Sequence, residues 1–184
     1  MDVLIFEGNT YTRRNEKWVD ARNMVVHEGL QKDLNREYAK QLDPAKLSLS
    51  DCVAHGDRFK RSSSMGLALK FYEEAARRAD PETMAYLLPR ISSCYRNNGQ
   101  PKKAINTFIR AVEMFGEPIA SHVFLVSVAA AYCDIGDYDS AKKCCNKAYA
   151  KLNGQRSDEL SLVYKRIQKA TEYLIYVMVE LNVI

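Results

Sequence analysis

The feature that most constrains the fold is a spacing of 36 and 37 residues at which small side chains recur in the middle of the chain. Glycine, alanine and serine make up 39 of the 184 residues, about a fifth, so nine small residues at nine aligned positions are not expected by chance. We interpret residues 49–154 as three copies of one structural unit. The aligned small residues are Ala68, Ala104 and Ala141, then Ala75, Ala111 and Ala148, and finally Gly56, Ser92 and Ala129.

Each copy is predicted to form two helices joined by a turn. In the middle copy, apolar residues recur at helical spacing over residues 85–97 and again over residues 102–115. Gly99 and Pro101 interrupt the chain between these helices, and proline suits the first turn of the second one. Small residues at the crossing let the two helices approach closely, while bulky neighbours fill the remaining grooves. Because such a unit cannot bury its apolar face alone, the copies are expected to stack.

Bulky residues align between the copies as well. Together with the small positions they resemble the tetratricopeptide repeat family over residues 49–154, although the family's usual period is about 34 residues. The resemblance implies a mainly α fold, a tetratricopeptide-like α-α superhelix. The first copy departs most from the pattern, with His55 where the others have Ile91 and Val128, and with Ser63 where they have Gly99 and Gly136. The aligned bulky positions are Phe59, Tyr95 and Tyr132, then Cys52, Leu88 and Leu125, and finally Tyr72, Phe108 and Cys145.

Residues 1–24 predict a small N-terminal β-hairpin element of two or three antiparallel strands, with an irregular arm as the alternative. A tight turn at Arg14 and Asn15 would place Tyr11 opposite Trp18, a favourable cross-strand aromatic pair. The strand-like segments are Val3–Phe6, Thr10–Arg13 and Lys17–Asp20.

Helical segments are predicted on either side of the repeats. Residues 25–48 form a leading helix and linker, because residues 25–42 are amphipathic and suit a cap on the first repeat. Residues 155–184 form a capping helix that begins at Ser157, followed by an apolar tail. The tail, residues 173–184, predicts either a continuing helix or a strand. Its apolar side chains are expected to be covered by the chain itself or by a second copy, which would make a homo-oligomer.

Charge and cysteine content limit the classes of function. The net charge is +4 with a pI near 8.7, which mildly favours an acidic partner and is too small to indicate nucleic acid. Five cysteines, an odd number without a Cys-x-x-Cys pair, predict reduced thiols in a cytoplasmic protein rather than disulfides or zinc. The N-terminus does not resemble a signal peptide, and the longest apolar stretch, Tyr173–Val179, is too short to span a membrane.

Catalytic, cofactor and metal sites are not predicted. His55 falls on a core-facing position of the first copy, and Cys145 replaces a bulky core residue. Asp134, Asp137 and Asp139 lack the glycine and distal glutamate of a calcium loop. The chain is therefore predicted to be no enzyme.

A groove that binds a protein or peptide is the leading functional prediction, and it rests on the resemblance. In the family, the first helix of each unit lines a concave groove, and its basic residues here suit an acidic peptide or a C-terminal carboxylate. A solvated face with scattered charges is the alternative. Val53 and Asp57 stand where the family's chaperone-tail clamp has Lys and Asn, which argues against that activity. The groove residues implied are Asp57, Lys60, Arg61, Tyr86, Arg90, Ser93, Arg96, Asn97, Val126, Ser127, Ala130 and Asp134.

Nucleic-acid binding is the second hypothesis. It combines the basic groove residues with an aromatic and arginine set in the N-terminal element, since aromatic rings stack on bases and arginines contact phosphates. It predicts affinity for RNA or single-stranded DNA that falls steeply with salt. The N-terminal set is Tyr11, Arg13, Arg14 and Trp18.

Overall fold

A computed structural model of the chain describes residues 2–155 and 157–180, with side chains described as far as residue 173. The chain is mainly α and divides into two compact units, Met1–Met84 and Ala85–Ile184. The elements are β1 (Val3–Phe6), β2 (Asn9–Arg14), β3 (Lys17–Val19), α1 (Glu28–Lys40), α2 (Leu49–Arg61), α3 (Met65–Arg78), α4 (Pro81–Asn97), α5 (Pro101–Phe115), α6 (His122–Asp134), α7 (Tyr138–Lys151) and α8 (Asp158–Glu180), with short 3-10 turns at Pro44–Lys46 and Glu117–Ile119.

The N-terminal element is a three-stranded antiparallel sheet in the order β1-β2-β3. Its second turn consists of Asn15 and Glu16, both with positive φ, a geometry that matches the twist of the flanking strands. The predicted turn at Arg14 and Asn15 is therefore wrong by one residue. Because the turn sets the register, Arg13 rather than Tyr11 lies opposite Trp18, while Tyr11 pairs with Leu4.

Helix α1 packs on this sheet through Trp18, which is fully buried. The indole N–H of Trp18 donates to the side-chain oxygen of Asn35 at 2.9 Å, and the amide of Asn35 donates to Ser62 Oγ at 3.1 Å. The sheet, α1 and the end of α2 are thus joined by two consecutive hydrogen bonds, of which the first is buried. The helix begins later than predicted, because Val25 forms a β-bridge with Val19 instead.

The predicted helices of the middle copy are confirmed as α4 and α5, and α4 begins four residues earlier than predicted, at Pro81. The nine aligned small residues are all buried. A Cβ added at Gly56 would lie 2.5 Å from the ring of Tyr72, and Ser92 Oγ donates to the carbonyl of Ala104 at 2.9 Å. The small residues therefore mark close helix contacts, as the spacing predicts.

Helix α8 starts as predicted, since Ser157 Oγ accepts a hydrogen bond from the N–H of Leu160 at 3.2 Å. It continues to Glu180, so the first part of the apolar tail is helical rather than a strand. Residues 181–184 and the side chains from residue 174 onward lie outside the described residues, and so does the predicted covering of the tail or its pairing with a second copy. Among residues 2–155 and 157–180, no helix is both long and apolar enough to cross a membrane.

Candidate functional site

The second unit contains a cavity of about 550 Å³ between α6 and α8, and Arg96 of α4 contributes to its lining. Its floor is apolar and buried, formed by Val126 and Ala130 of α6 and Val163 of α8. A concave apolar surface with a few polar groups at its rim is the usual form of a binding site.

Two large apolar side chains in the cavity remain exposed to solvent. Val123 on α6 is 64% exposed and Leu162 on α8 is 61% exposed, and both line the cavity wall. Helix α8 buries Leu160, Val163 and Ile167 on its inner face, which leaves Leu162 off that stripe. Apolar side chains that gather in one concavity rather than scatter over the surface indicate an interaction site.

Three charged side chains form a bridge at the polar end of this cavity. Arg96 Nε donates to one carboxylate oxygen of Asp134 at 2.9 Å, and Arg166 Nη2 donates to the other at 2.8 Å. The side chains are only partly buried, at 28%, 27% and 44% exposure for Arg96, Asp134 and Arg166. Hydrogen bonding to Asp134 raises the pKa of Arg166, so this guanidinium is charged. Ion pairs this accessible stabilise a fold little. The bridge places two guanidiniums against the two oxygens of one carboxylate.

Further polar groups extend the site. Ser127 and His122 of α6 also line the cavity, as do Ser157 and Glu159, whose side chains hydrogen bond at 3.3 Å. Arg166 is shared with a second, more open concavity of about 550 Å³. This second concavity is also lined by Tyr138, Lys169, Ala170 and Tyr173.

Several predicted groove residues of the second unit meet at this cavity. Arg96, Val126, Ser127 and Ala130 line it, and Asp134 bridges its arginines. Tyr86 and Arg90 do not line it. The Arg90 guanidinium instead lies 3.4 Å from the centre of the Tyr86 ring. Ser93 is half-buried, and Asn97 accepts a long hydrogen bond of 3.5 Å from Arg96.

Two of the three predicted groove residues of the first unit, Asp57 and Arg61, have partners inside that unit. Asp57 accepts a hydrogen bond from the Tyr72 hydroxyl at 2.5 Å. Arg61 forms a two-pronged ion pair with Glu16, which lowers the pKa of that carboxyl. Lys60 is half-buried. Participation of these residues in binding stays a prediction.

The residues that sequence reasoning missed are those contributed by α8. Leu162 and Arg166 lie 36 residues after Val126 and Ala130, at the same spacing that relates the three copies. Extending the period by one further helix would have found them. Treating α8 only as a cap hid this relation.

Most side chains of the N-terminal set predicted for nucleic-acid binding are buried. Trp18 is 0% exposed, Arg13 is 6% exposed and Tyr11 is 9% exposed, so their side chains cannot stack on bases. The guanidinium of Arg13 lies 5.4 Å from the centre of the Trp18 ring, and burial lowers its pKa to about 10, with a further contribution from Arg58. Of the predicted set only Arg14 is exposed. The choice of these residues was wrong, because alternation along β2 and β3 turns Tyr11, Arg13 and Trp18 toward the buried face of the sheet.

Comparison with known proteins supports the fold. Residues 89–117 match the family model for the tetratricopeptide repeat. The TPR2AB domain of yeast Sti1, solved in a complex with pHSP90, superposes with a TM-score of 0.54 at 18% identity and covers 72% of this chain and 49% of that one. PcrH from Pseudomonas aeruginosa superposes with a TM-score of 0.53 at 18% identity, covering 68% of this chain and 95% of that one.

The chain thus spans about half the length of the Sti1 structure. No curated protein sequence matches it. At 18% identity these likenesses concern the fold, and at that level they confirm the resemblance to tetratricopeptide repeats that the spacing of small residues predicts.

Proposed function

We propose that this chain, which has a tetratricopeptide-like helical-repeat fold, is a non-enzymatic adaptor that binds a protein segment in the cavity between α6 and α8. The observation that carries the proposal is the pair of exposed apolar side chains, Val123 and Leu162, in a cavity that ends at two arginines. Covering these side chains with a partner's apolar side chain would remove them from water.

The partner segment has a defined chemistry. An apolar side chain fits the floor of Val126, Ala130 and Val163, and a carboxylate fits the arginine end of the cavity. Guanidinium groups present several N–H donors in a planar fork, a geometry that matches the two oxygens of a carboxylate. A C-terminal residue with an apolar side chain supplies both groups at once.

Asp134 sets the charge at this end. In the free chain its two oxygens each accept from one arginine, so the two cations are held in place by a single anion. A ligand carboxylate competes with Asp134 for the same donors. Neutralising Asp134 is therefore expected to strengthen binding of a carboxylate ligand, provided that the arginines keep their positions.

One further observation supports an adaptor role, since the Sti1 structure, which shares the fold, is a complex with pHSP90. The compartment is a separate proposal: the five cysteines of this chain are free thiols, which fits a reducing compartment such as the cytoplasm. Val53 and Asp57, where the chaperone-tail clamp has other residues, indicate that the partner is not a chaperone tail.

Selection from a random peptide library displayed with free C-termini tests the proposal. The selected peptides are then measured against the full chain and against Leu162→Asp, with Met114→Asp as the matched control, because Met114 is equally exposed at 57% and lines no part of the cavity. We expect affinity to fall by about tenfold or more in Leu162→Asp, since one apolar contact is lost and a charge is introduced. The control should bind normally.

The carboxylate is tested on the same peptides. Amidation of the C-terminus should weaken binding to the natural chain, and Asp134→Asn should tighten binding of the free acid but not of the amide. Equal binding by the two forms of the peptide would remove the carboxylate from the proposal. Unchanged affinity in Leu162→Asp would remove the cavity as the site.

A further inference from the structure

The two edges of the N-terminal sheet differ in how their backbone groups are satisfied. On the β3 edge, the N–H of Trp18 donates to the side chain of Gln31 at 2.9 Å. The carbonyl of Trp18 accepts from Gln31 at 2.8 Å and from the backbone of Val26 at 3.2 Å. Val25 adds a bridge to Val19. The chain itself therefore covers this edge.

The β1 edge is not covered in this way. The N–H of Arg13 donates to the carbonyl of Asp2 at 2.9 Å. This bond determines which residues of β1 form backbone hydrogen bonds to β2. Because bonding alternates along an antiparallel strand, Leu4 and the other even positions of β1 bond to β2. Val3 and Ile5 consequently direct their N–H and C=O groups away from the sheet. Among the described residues, none bonds to these groups.

The side chains at this edge are also open to solvent. Val3 is 53% exposed and Ile5 is 72% exposed, whereas Leu4 between them is buried. Natural edge strands are commonly protected by a lysine, a proline or a bulge, and the sequence Val-Leu-Ile-Phe has none of these. The register with β2 is likewise uninterrupted. This edge is therefore suited to receive another strand.

We propose that β1 pairs with β1 of a second copy of this chain, antiparallel and about a two-fold axis at Leu4. In this register Val3 of one copy lies opposite Ile5 of the other, and each such pair exchanges two N–H to C=O hydrogen bonds. The two free N–H and two free C=O groups of each strand are then all used. The sheet would continue across the axis.

A second copy fits this edge because the strand complements itself. A two-fold contact places the same patch on both subunits, so it must bring no like charges together. Residues 3–6 carry no charge, and the pairing brings one β-branched side chain against another on the exposed face. One four-residue strand per copy is a small contact, so the dimer is weak and forms as concentration rises. It does not depend on the cavity between α6 and α8.

Solution mass measured over a wide range of protein concentration tests the pairing on the full chain. The mass should rise toward twice that of the monomer, while the amides of Val3 and Ile5 become slower to exchange with deuterium. Ile5→Lys should remain monomeric. Thr10→Lys is the matched control, since Thr10 lies opposite Ile5 in the register, is exposed and stands on the interior strand.

Ile5→Pro provides a second test that does not depend on charge. The N–H of Ile5 makes no bond to β2, so proline removes only an outward donor. Unchanged Trp18 fluorescence would show that the unit still folds. A chain that is monomeric at every concentration would overturn the pairing. A dimer that persists in both Ile5 variants, and in which the Val3 amide exchanges as fast as in the monomer, would also overturn it.

Discussion

The helix pairs α2/α3 and α6/α7 occupy equivalent places in the repeat, and different residues fill the contact between the two helices of each pair. At the close crossing of α2 and α3, Gly56 lies against the ring of Tyr72 with no room for a Cβ. At the aligned positions of α6 and α7, Ala129 and Cys145 are both fully buried in one apolar cluster. In these two pairs the smaller residue of the first helix, Gly56, accompanies the larger residue of the second, Tyr72, whereas Ala129 accompanies the small Cys145.

The two pairs also differ in chemistry. The Tyr72 hydroxyl donates to Asp57, so the first pair has a polar tether at a residue predicted to face the groove. In the α6/α7 pair, burial raises the pKa of Cys145 to about 12, with smaller contributions from Cys133 and Cys144. A thiol with so high a pKa is unreactive near neutral pH. Cys145 thus acts as a small core residue, as the sequence predicts.

The largest expected effect comes from placing the tyrosine of the α2/α3 pair at the aligned position of the α6/α7 pair. Cys145→Tyr introduces a ring beside Ala129, and overpacking of a filled core at this scale should lower the free energy of unfolding by about 3 kcal/mol. Adding Ala129→Gly should recover part of that loss. The measurement is urea unfolding followed by circular dichroism, for both single variants and the double variant.

This prediction is decided by whether the effects of Cys145→Tyr and Ala129→Gly on the free energy of unfolding offset each other or add. If the two positions share one space, the double variant is more stable than Cys145→Tyr alone. Additive losses would show that they do not compensate each other.

Gly56→Ala tests the first pair directly. The new Cβ would sit 2.5 Å from the Tyr72 ring, and that ring is fully buried, so we expect a loss of about 2 kcal/mol. Trp18 is the only tryptophan and lies in this unit, so its fluorescence follows the unfolding. Gly29→Ala is the control, because Gly29 is also helical and exposed, and a Cβ there would approach only the side chain of His27, at 3.2 Å. Equal stability of the two variants would contradict the close crossing.

The middle pair extends the comparison with alanines alone. Ala104 and Ala111 on α5 are 1% and 0% exposed, so leucine at either position overpacks the core. A leucine side chain can rotate into small gaps, and we expect a loss of about 1.5 kcal/mol. Thermal or urea unfolding of Ala104→Leu and Ala111→Leu measures it. A variant as stable as the parent would mean that the crossing is looser than the buried alanines indicate.

The smallest expected effect is a pH dependence confined to the first unit. Burial lowers the pKa of His55 below its ordinary value of 6.5, and Arg58 lowers it further, although Asp2 and Asp51 act the other way. The folded unit therefore binds fewer protons than the unfolded chain. Its stability should fall as pH drops below 6.5 toward the folded pKa and should not depend on His55 above that range.

The α6/α7 pair provides the control for this prediction. Val128 occupies the aligned position in α6, so the α6/α7 pair lacks the titrating group. Unfolding of His55→Phe, followed by Trp18 fluorescence between about pH 5 and 8, should lose the decline. A decline that persists in this variant would assign it to another group.

Much of this architecture follows from sequence because short-range physics determines it. Periodic apolar residues fix the helices, and the aligned small residues fix where they cross. The turn at Asn15 and Glu16 was predicted one residue too early, because the adjacent polar residues suit either of two turns. Only the packing of Trp18 selects between them. The burial of Arg13 likewise depends on Tyr38 of α1 and Phe59 of α2, which a strand pattern alone does not contain.

The candidate site was predictable in part for a related reason. Residues on α4 and α6 follow from the resemblance, since its first helices line a groove. The arginine bridge requires Arg96, Asp134 and Arg166 to meet from three helices, and such a meeting depends on tertiary structure. Leu162 was missed although its spacing from Val126 carried the signal.

The most direct test of the proposed binding site is a methyl chemical-shift map of the full chain, titrated with a selected peptide that ends in a free carboxylate. The adaptor proposal expects the methyl groups of Val123, Val126, Leu162 and Val163 to shift with one common affinity, while those of Leu34 and Leu69 in the first unit stay fixed. Shifts confined to residues outside the cavity would contradict it.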